Sequence, residues 1–124
     1  MNRRRLLFPS LIAMLLELGV LPASAGNCIW KLDGFELNAD IVYWNFVIGS
    51  SSECLQGLRG NTMLIDQVKI IEPPKAGSLR ISGPAFHYRA PSAAGSLDSF
   101  RLEVLGENHR IRGTSVIVVG VEIR

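Results

Sequence analysis

Past residue 40 the chain reads mostly as short stretches in which apolar and polar positions alternate. Ile41-Val42-Tyr43-Trp44-Asn45-Phe46-Val47-Ile48 is a run of eight aromatic, β-branched and polar residues, closed by the turn-forming Gly49-Ser50-Ser51-Ser52. Met63 to Ile65 and Val68 to Ile71 are short apolar pieces, and Pro73-Pro74 stops any ladder because proline has no N–H to donate. Lys75-Ala76-Gly77 and Gly83-Pro84 predict turns. Between and after them, Leu79/Ile81, Phe86/Tyr88 and Phe100/Leu102/Val104 alternate with polar partners, as half-buried strands do. Ala90 to Gly95 reads as a small-residue loop, and Gly106 to Gly113 as a polar hairpin tip. Thr114 to Ile123 is then a long, valine-rich closing strand. No segment past the first 25 residues has the 3.6-residue period of an amphipathic helix. About seven strands with turn signals every 8–12 residues predict an all-β fold of antiparallel strands, a sandwich or a barrel.

The first 25 residues have a different grammar. Arg3, Arg4 and Arg5 precede an apolar run from Leu6 to Val20, and Pro22-Ala23-Ser24-Ala25 follows with small residues at the cleavage-site spacing. This predicts a signal peptide over 1–25, cut after Ala25, and a mature domain over 26–124. The apolar run is 15 residues long and contains Pro9 and Glu17. A bilayer-spanning helix needs about 20 apolar residues, so no stable membrane anchor is expected after cleavage. The arginines suit general export and twin-arginine export alike. The expected location is the periplasm of a bacterium or the medium outside it.

Charge and cysteines sharpen this reading. The chain has 13 Lys+Arg and 11 Asp+Glu, and removing Arg3, Arg4, Arg5 and Glu17 leaves ten of each. A neutral mature chain does not suit a nucleic-acid binder that works by neutralising phosphates. Cys28 and Cys54 are the only cysteines. Two cysteines in an exported chain predict a disulfide. No C-x-x-C pair is present, and two cysteines with the distant His87 and His109 lack zinc-site spacing.

The second half carries a resemblance. Val68 to Leu79, with Pro73-Pro74-Lys75-Ala76-Gly77 at its centre, resembles the opening "strand, Pro-Pro, x, x, Gly, small, apolar" of bacterial Ig-like and cadherin-like domains. Phe86-His87-Tyr88-Arg89-Ala90-Pro91 is similar to their "x-Y-x-P" strand end. Gly95-Ser96-Leu97-Asp98-Ser99-Phe100 is similar to their "G-x-D-S-F" turn with one extra residue, and Val116 to Ile123 to their closing strand. The resemblance covers a little under half of the chain. It implies an Ig-like β-sandwich. Such domains act as spacers or adhesive units in tandem arrays, and small exported single-domain members also occur; this chain holds one copy.

Catalytic chemistry is sparse. No serine lies in a G-x-S-x-G elbow, and no H-E-x-x-H, phosphate-cradling glycine loop or EF-hand loop occurs. His87 is expected on the outer side of a strand beside Arg89, and His109 in the hairpin tip. Asp33, Glu36 and Asp40 read as a solvated loop, so no metal and no cofactor is expected. Trp30, Tyr43, Trp44 and Phe46 concentrate aromatic surface, and Tyr43 and Trp44, being adjacent in a strand, face opposite sides. Tyr43 and Trp44 are therefore the candidate partner contacts. The apolar last strand offers itself as an edge for strand addition. The expectation is a non-catalytic binding or structural module whose partner is a protein or glycan of the cell envelope. The alternative is a small secreted enzyme or enzyme inhibitor with an unrecognised site.

Overall fold

The computed structural model describes residues 26–29, 32–60 and 62–124. The expected signal peptide lies outside these residues, as does Trp30. Seven strands follow in order: β1 Asp40–Ile48, β2 Glu53–Gly57, β3 Met63–Glu72, β4 Ser78–Ser82, β5 Ala85–Arg89, β6 Leu97–Asn108 and β7 Ile111–Ile123. One sheet has the order β1-β7-β6-β3 and the other β2-β5-β4. This is the predicted all-β sandwich. Its last six strands split between the sheets as the B-E-D and C-F-G strands of an immunoglobulin sandwich do. One pair departs from the antiparallel expectation. β1 runs parallel to β7, in register from Asp40↔Ser115 to Ile48↔Ile123.

The period-two pattern does the sorting. Phe100, Leu102 and Val104 of β6 and Ile117, Val119 and Ile123 of β7 are wholly buried, while the intervening residues face out. Phe86 and Tyr88 of β5 meet them from the other sheet. The Phe86 and Phe100 rings lie edge to face at 5.2 Å, and Tyr88 stacks on Phe100 at 5.8 Å. Phe46 of β1 closes this cluster against both β5 rings.

Several boundaries differ from the sequence reading, each for a physical reason. β2, the segment Glu53-Cys54-Leu55-Gln56-Gly57, was not expected. It turns Cys54 and Gln56 inward, and Gln56 is a core residue only because its amide is satisfied. Its carbonyl accepts the Ile29 amide at 3.1 Å and its amide donates to the Gly57 carbonyl at 3.0 Å. The two apolar pieces at 63–65 and 68–71 are one strand, β3. The register jumps between Ile65 and Gln67, leaving Asp66 as the unpaired residue of a bulge. Opposite it stands Gly106, where a Cβ would lie 2.1 Å from the Leu64 carbonyl oxygen. The expected polar tip over 106–113 is mostly strand. The reversal is confined to His109-Arg110, both at positive φ (52° and 68°), as a two-residue hairpin turn with matched twist requires.

Candidate interaction face

Asp98 is the point on which the family-like motifs converge. Its buried carboxylate accepts the amides of Lys75 (2.8 Å), Ala76 (3.3 Å) and Gly77 (2.8 Å), all from the turn after Pro73-Pro74. It also accepts the Tyr88 hydroxyl at 2.7 Å. The neighbouring Ser99 amide donates to it as well, at 3.0 Å. The carboxylate reaches across the molecule and is itself the partner of Tyr88. Burial pushes the Asp98 carboxyl up, but the amides and the hydroxyl outweigh it and hold it below the ordinary carboxylate range. Burial, and then the neighbouring carboxylate, push the Tyr88 hydroxyl far up. Gly77 is required at this point, because a Cβ would lie 2.5 Å from the Arg89 carbonyl and from the Tyr88 hydroxyl. Every bonding position of this node is internal, so it builds the fold.

The acidic loop is likewise internal work. Asp40 accepts the amides of Glu36 at 2.8 Å and Asn38 at 3.4 Å, and the hydroxyl of Ser115. Ser115 in turn accepts the Leu37 amide at 2.9 Å. Burial raises the Asp40 carboxyl, and these donors, Ser115 first, bring it below its ordinary value. Among the described residues no group of three or more His, Cys, Asp and Glu side chains is placed to hold a metal ion.

The outer side of the three-stranded sheet carries His87 where the alternation put it. Its Nε2 lies 3.5 Å from a Glu53 carboxylate oxygen, and Arg89 pairs with the other oxygen at 3.3 Å. Ser78, Leu79 and Arg80 complete an open groove with them. Glutamate, histidine and serine thus meet on one face. Among the described residues no hydrogen bond joins the Ser78 hydroxyl to His87, whose partner is Glu53.

The two candidate contact residues separate. Trp44 is 3% exposed and packs on Phe35, and its indole N–H donates to the Asp33 carbonyl at 2.9 Å. It is therefore withdrawn as a contact. The segment before β1 folds back over it, and that segment has no periodic pattern to announce the cover. Tyr43 is 64% exposed and stands on the outer side of the four-stranded sheet. The last strand is corrected as well. β7 lies between β1 and β6, and the edges of its sheet are β1 and β3.

Around Tyr43 the outer face is apolar. Ile41 and Val47 of β1 are more than half exposed, and Leu97 at the start of β6 is 78% exposed. The register sets Tyr43 beside Val118, Asn45 beside Gly120, and Val47 beside Glu122, which faces Leu97. Gly120 leaves a gap in this row. Asn45, Val47, Leu97, Gly120 and Glu122 line a notch of about 370 Å³. Sequence reasoning pointed to Tyr43 but missed Leu97 and the notch, because only the pairing of distant strands places Leu97, Gly120 and Asn45 in adjoining rows. Charged residues stand in the same rows: Glu122, at 2.6 Å from Arg124, lines the notch, and Arg101, beside Val118, lies 3.7 Å from Glu72. Comparison with protein-family models, with curated proteins and with solved structures finds no match to this chain.

Proposed function

We propose that this chain is a small exported bacterial domain of the Ig-like and cadherin-like kind, working as a non-catalytic binding or structural module of the cell envelope. In this reading residues 1–25 are removed on export. The Cys28–Cys54 disulfide suits an oxidising compartment. The observation that carries the contact role is the exposed apolar surface of Ile41, Tyr43, Val47 and Leu97 around the Gly120 notch. Monomeric soluble proteins seldom keep such residues contiguous without a use, and a tyrosine offers a protein or a glycan both an apolar ring and a hydroxyl.

The test is affinity capture from the cell envelope with the exported protein as bait, beside Tyr43→Ala and the opposite-face control Arg80→Ala. One specific partner, retained by Arg80→Ala and lost by Tyr43→Ala, is the expected result. Retention of that partner by Tyr43→Ala would remove this face from the role. The enzyme alternative is checked on the same preparations. A turnover of ester, peptide or glycan substrates that His87→Ala abolishes would replace the module reading.

A further inference from the structure

A sheet edge, unlike a sheet face, dictates the chemistry of what covers it. The backbone of β1 is bonded on one side only, to β7. At its end Arg124 donates its amide to the Ile48 carbonyl at 2.9 Å, and its own carbonyl accepts the Ser50 amide at 2.8 Å. A strand turns both backbone groups of one residue to one side and those of the next to the other, so Val42, Trp44, Phe46 and Ile48 serve β7. The amides and carbonyls of Ile41, Tyr43, Asn45 and Val47 face outward along the edge, and among the described residues no backbone hydrogen bond reaches them. We infer that the partner of this surface is an extended segment of another protein, added to the sandwich as a further strand beside β1. The inference rests on the contact-face reading above and names the form its partner takes.

The two sheets have four edges, and three of them are blunted. β3 is interrupted by register shifts between Ile65 and Gln67 and between Ile70 and Glu72, carries Asp66, Lys69 and Glu72, and ends at Pro73-Pro74. β2 and β4 have five residues each. β2 is already partly covered, since its Leu55 amide donates to the Gly26 carbonyl at 2.8 Å. β4 holds Arg80 at its centre and stops at Gly83-Pro84. Short strands, bulges, charges and prolines are the means by which sheets keep other chains off their edges. β1 has none of them. Its nine residues keep one register throughout, and from Ile41 to Ile48 it contains no proline and no charged side chain. An edge this long and unguarded is a template for a foreign strand, and it fits a use.

The spacing selects a polypeptide. The free amides and carbonyls recur at every second residue, roughly 6.5 Å apart, and an extended chain carries the complementary groups at the same interval. Alternate side chains of the added strand meet different surroundings. Those on the outer side lie beside Ile41, Tyr43 and Val47, all more than half exposed, so aliphatic or aromatic residues fit there. On the other side, at the Val47 end, a cleft of about 190 Å³ opens between β1 and β2, lined by Val47, Gly49, Glu53 and the Cys28–Cys54 bridge. A small side chain suits it. Glu122 and Arg101 belong to β7 and β6 and stand one and two strands further in from this edge.

The probe is a phage-displayed library of random nine-residue peptides, the length of β1, selected on the exported protein. Binding of the selected peptides is then read by amide hydrogen exchange. In the free protein the amides of Ile41, Tyr43, Asn45 and Val47 are expected to exchange fast, and those of Val42, Trp44 and Phe46 slowly. A bound peptide is expected to slow the four odd-numbered amides by about tenfold or more, since each gains an acceptor. Asn45→Pro removes one outward amide without touching a bond to β7, and Asn45→Ala keeps that amide. Proline is expected to weaken peptide binding about tenfold, the worth of one hydrogen bond, and alanine less than about twofold. The exchange pattern needs no variant, so it decides the matter even if Asn45→Pro does not fold. Odd-numbered amides already slow in the free protein overturn the inference, as do peptides that bind and leave them fast. A selection that yields no peptide, or equal binding by folded proline and alanine variants, overturns it too. If it fails while Tyr43→Ala still loses a specific envelope partner, strand addition is excluded and the contact-face reading stands.

Discussion

A single carboxylate ties three separated stretches of this chain together, and its worth is testable. Removing Asp98 strands four amides and the Tyr88 hydroxyl in partly or wholly buried positions. Unmade buried hydrogen bonds cost about 1–3 kcal/mol each, so Asp98→Ala is expected to lose about 3–5 kcal/mol in urea titration. Tyr88→Phe removes one partner and keeps the amides, and is expected to lose about 1–2 kcal/mol. The pH dependence follows from the same contacts. An unfolded aspartate titrates near 3.9, and the folded Asp98 carboxyl is held lower. Its contribution is therefore complete above about pH 4 and drains away as pH falls through the folded value. Asp40 acts in the same direction. Melting temperature is thus expected to fall below about pH 4 in wild type, and to fall less in Asp98→Asn. An identical slope in the two would remove Asp98 from the acid response. Gly77→Ala tests the geometry of the node, since backbone and the Tyr88 ring block its Cβ. Destabilisation of about 1–3 kcal/mol is expected, as for other overpacked sites.

The β6–β7 hairpin shows at element scale how the chain tolerates a local misfit. His109 and Arg110 both occupy positive φ, a region that Asn and Gly enter at much less cost. Replacing the pair by Asn-Gly is expected to stabilise the domain by about 1 kcal/mol, measured as a higher urea midpoint with an unchanged slope. No shift would mean that the turn is held by something other than backbone preference. The same hairpin explains what the sequence could reveal. Alternation in β5, β6 and β7 follows from packing between two sheets, so these strands and the aromatic core were legible residue by residue. β2 was not, because its inward residues are a cysteine and a hydrogen-bonded glutamine, neither of which reads as apolar period. The extent of the hairpin was hidden because a His-Arg turn lacks the Asn-Gly signal. The bulge at Asp66 broke the period of β3 and made one strand look like two pieces. For the candidate site, alternation placed Tyr43 and Trp44 on opposite sides but could not set which faced out. That phase depends on the fold-back segment ending in Phe35 and Asp33, whose contacts with Trp44 span 9 and 11 residues.

At the scale of the whole molecule, the parts that matter for contact hang on the entry segment. Cys28 is bonded to Cys54 on β2, and the chain then runs back past Trp44 before entering β1. The disulfide, the Gly26 carbonyl accepting the Leu55 amide at 2.8 Å, and the Asp40–Ser115 contact pin this strap at both ends. β1 is an edge strand bonded on one side, to β7. Its inner face is covered in part by the strap, through Phe35 and the Asp33 carbonyl. Loss of the bridge therefore acts locally before it acts globally. Opening a loop of about 27 residues is expected to cost about 3–4 kcal/mol in Cys28→Ala/Cys54→Ala, by the chain-entropy account. Hydrogen exchange should register the loss unevenly, with protection falling first at β1 while β5 and β6, whose Phe86, Tyr88, Phe100 and Leu102 have no solvent exposure, keep theirs up to global unfolding. The indole N–H of Trp44 is the sharpest reporter, because its acceptor sits in the strap. A uniform loss across all strands would show the bridge to be a purely global restraint. Selective loss would mean that the disulfide holds Tyr43 and the notch in place, and that reduction disables the contact face while leaving the sandwich folded.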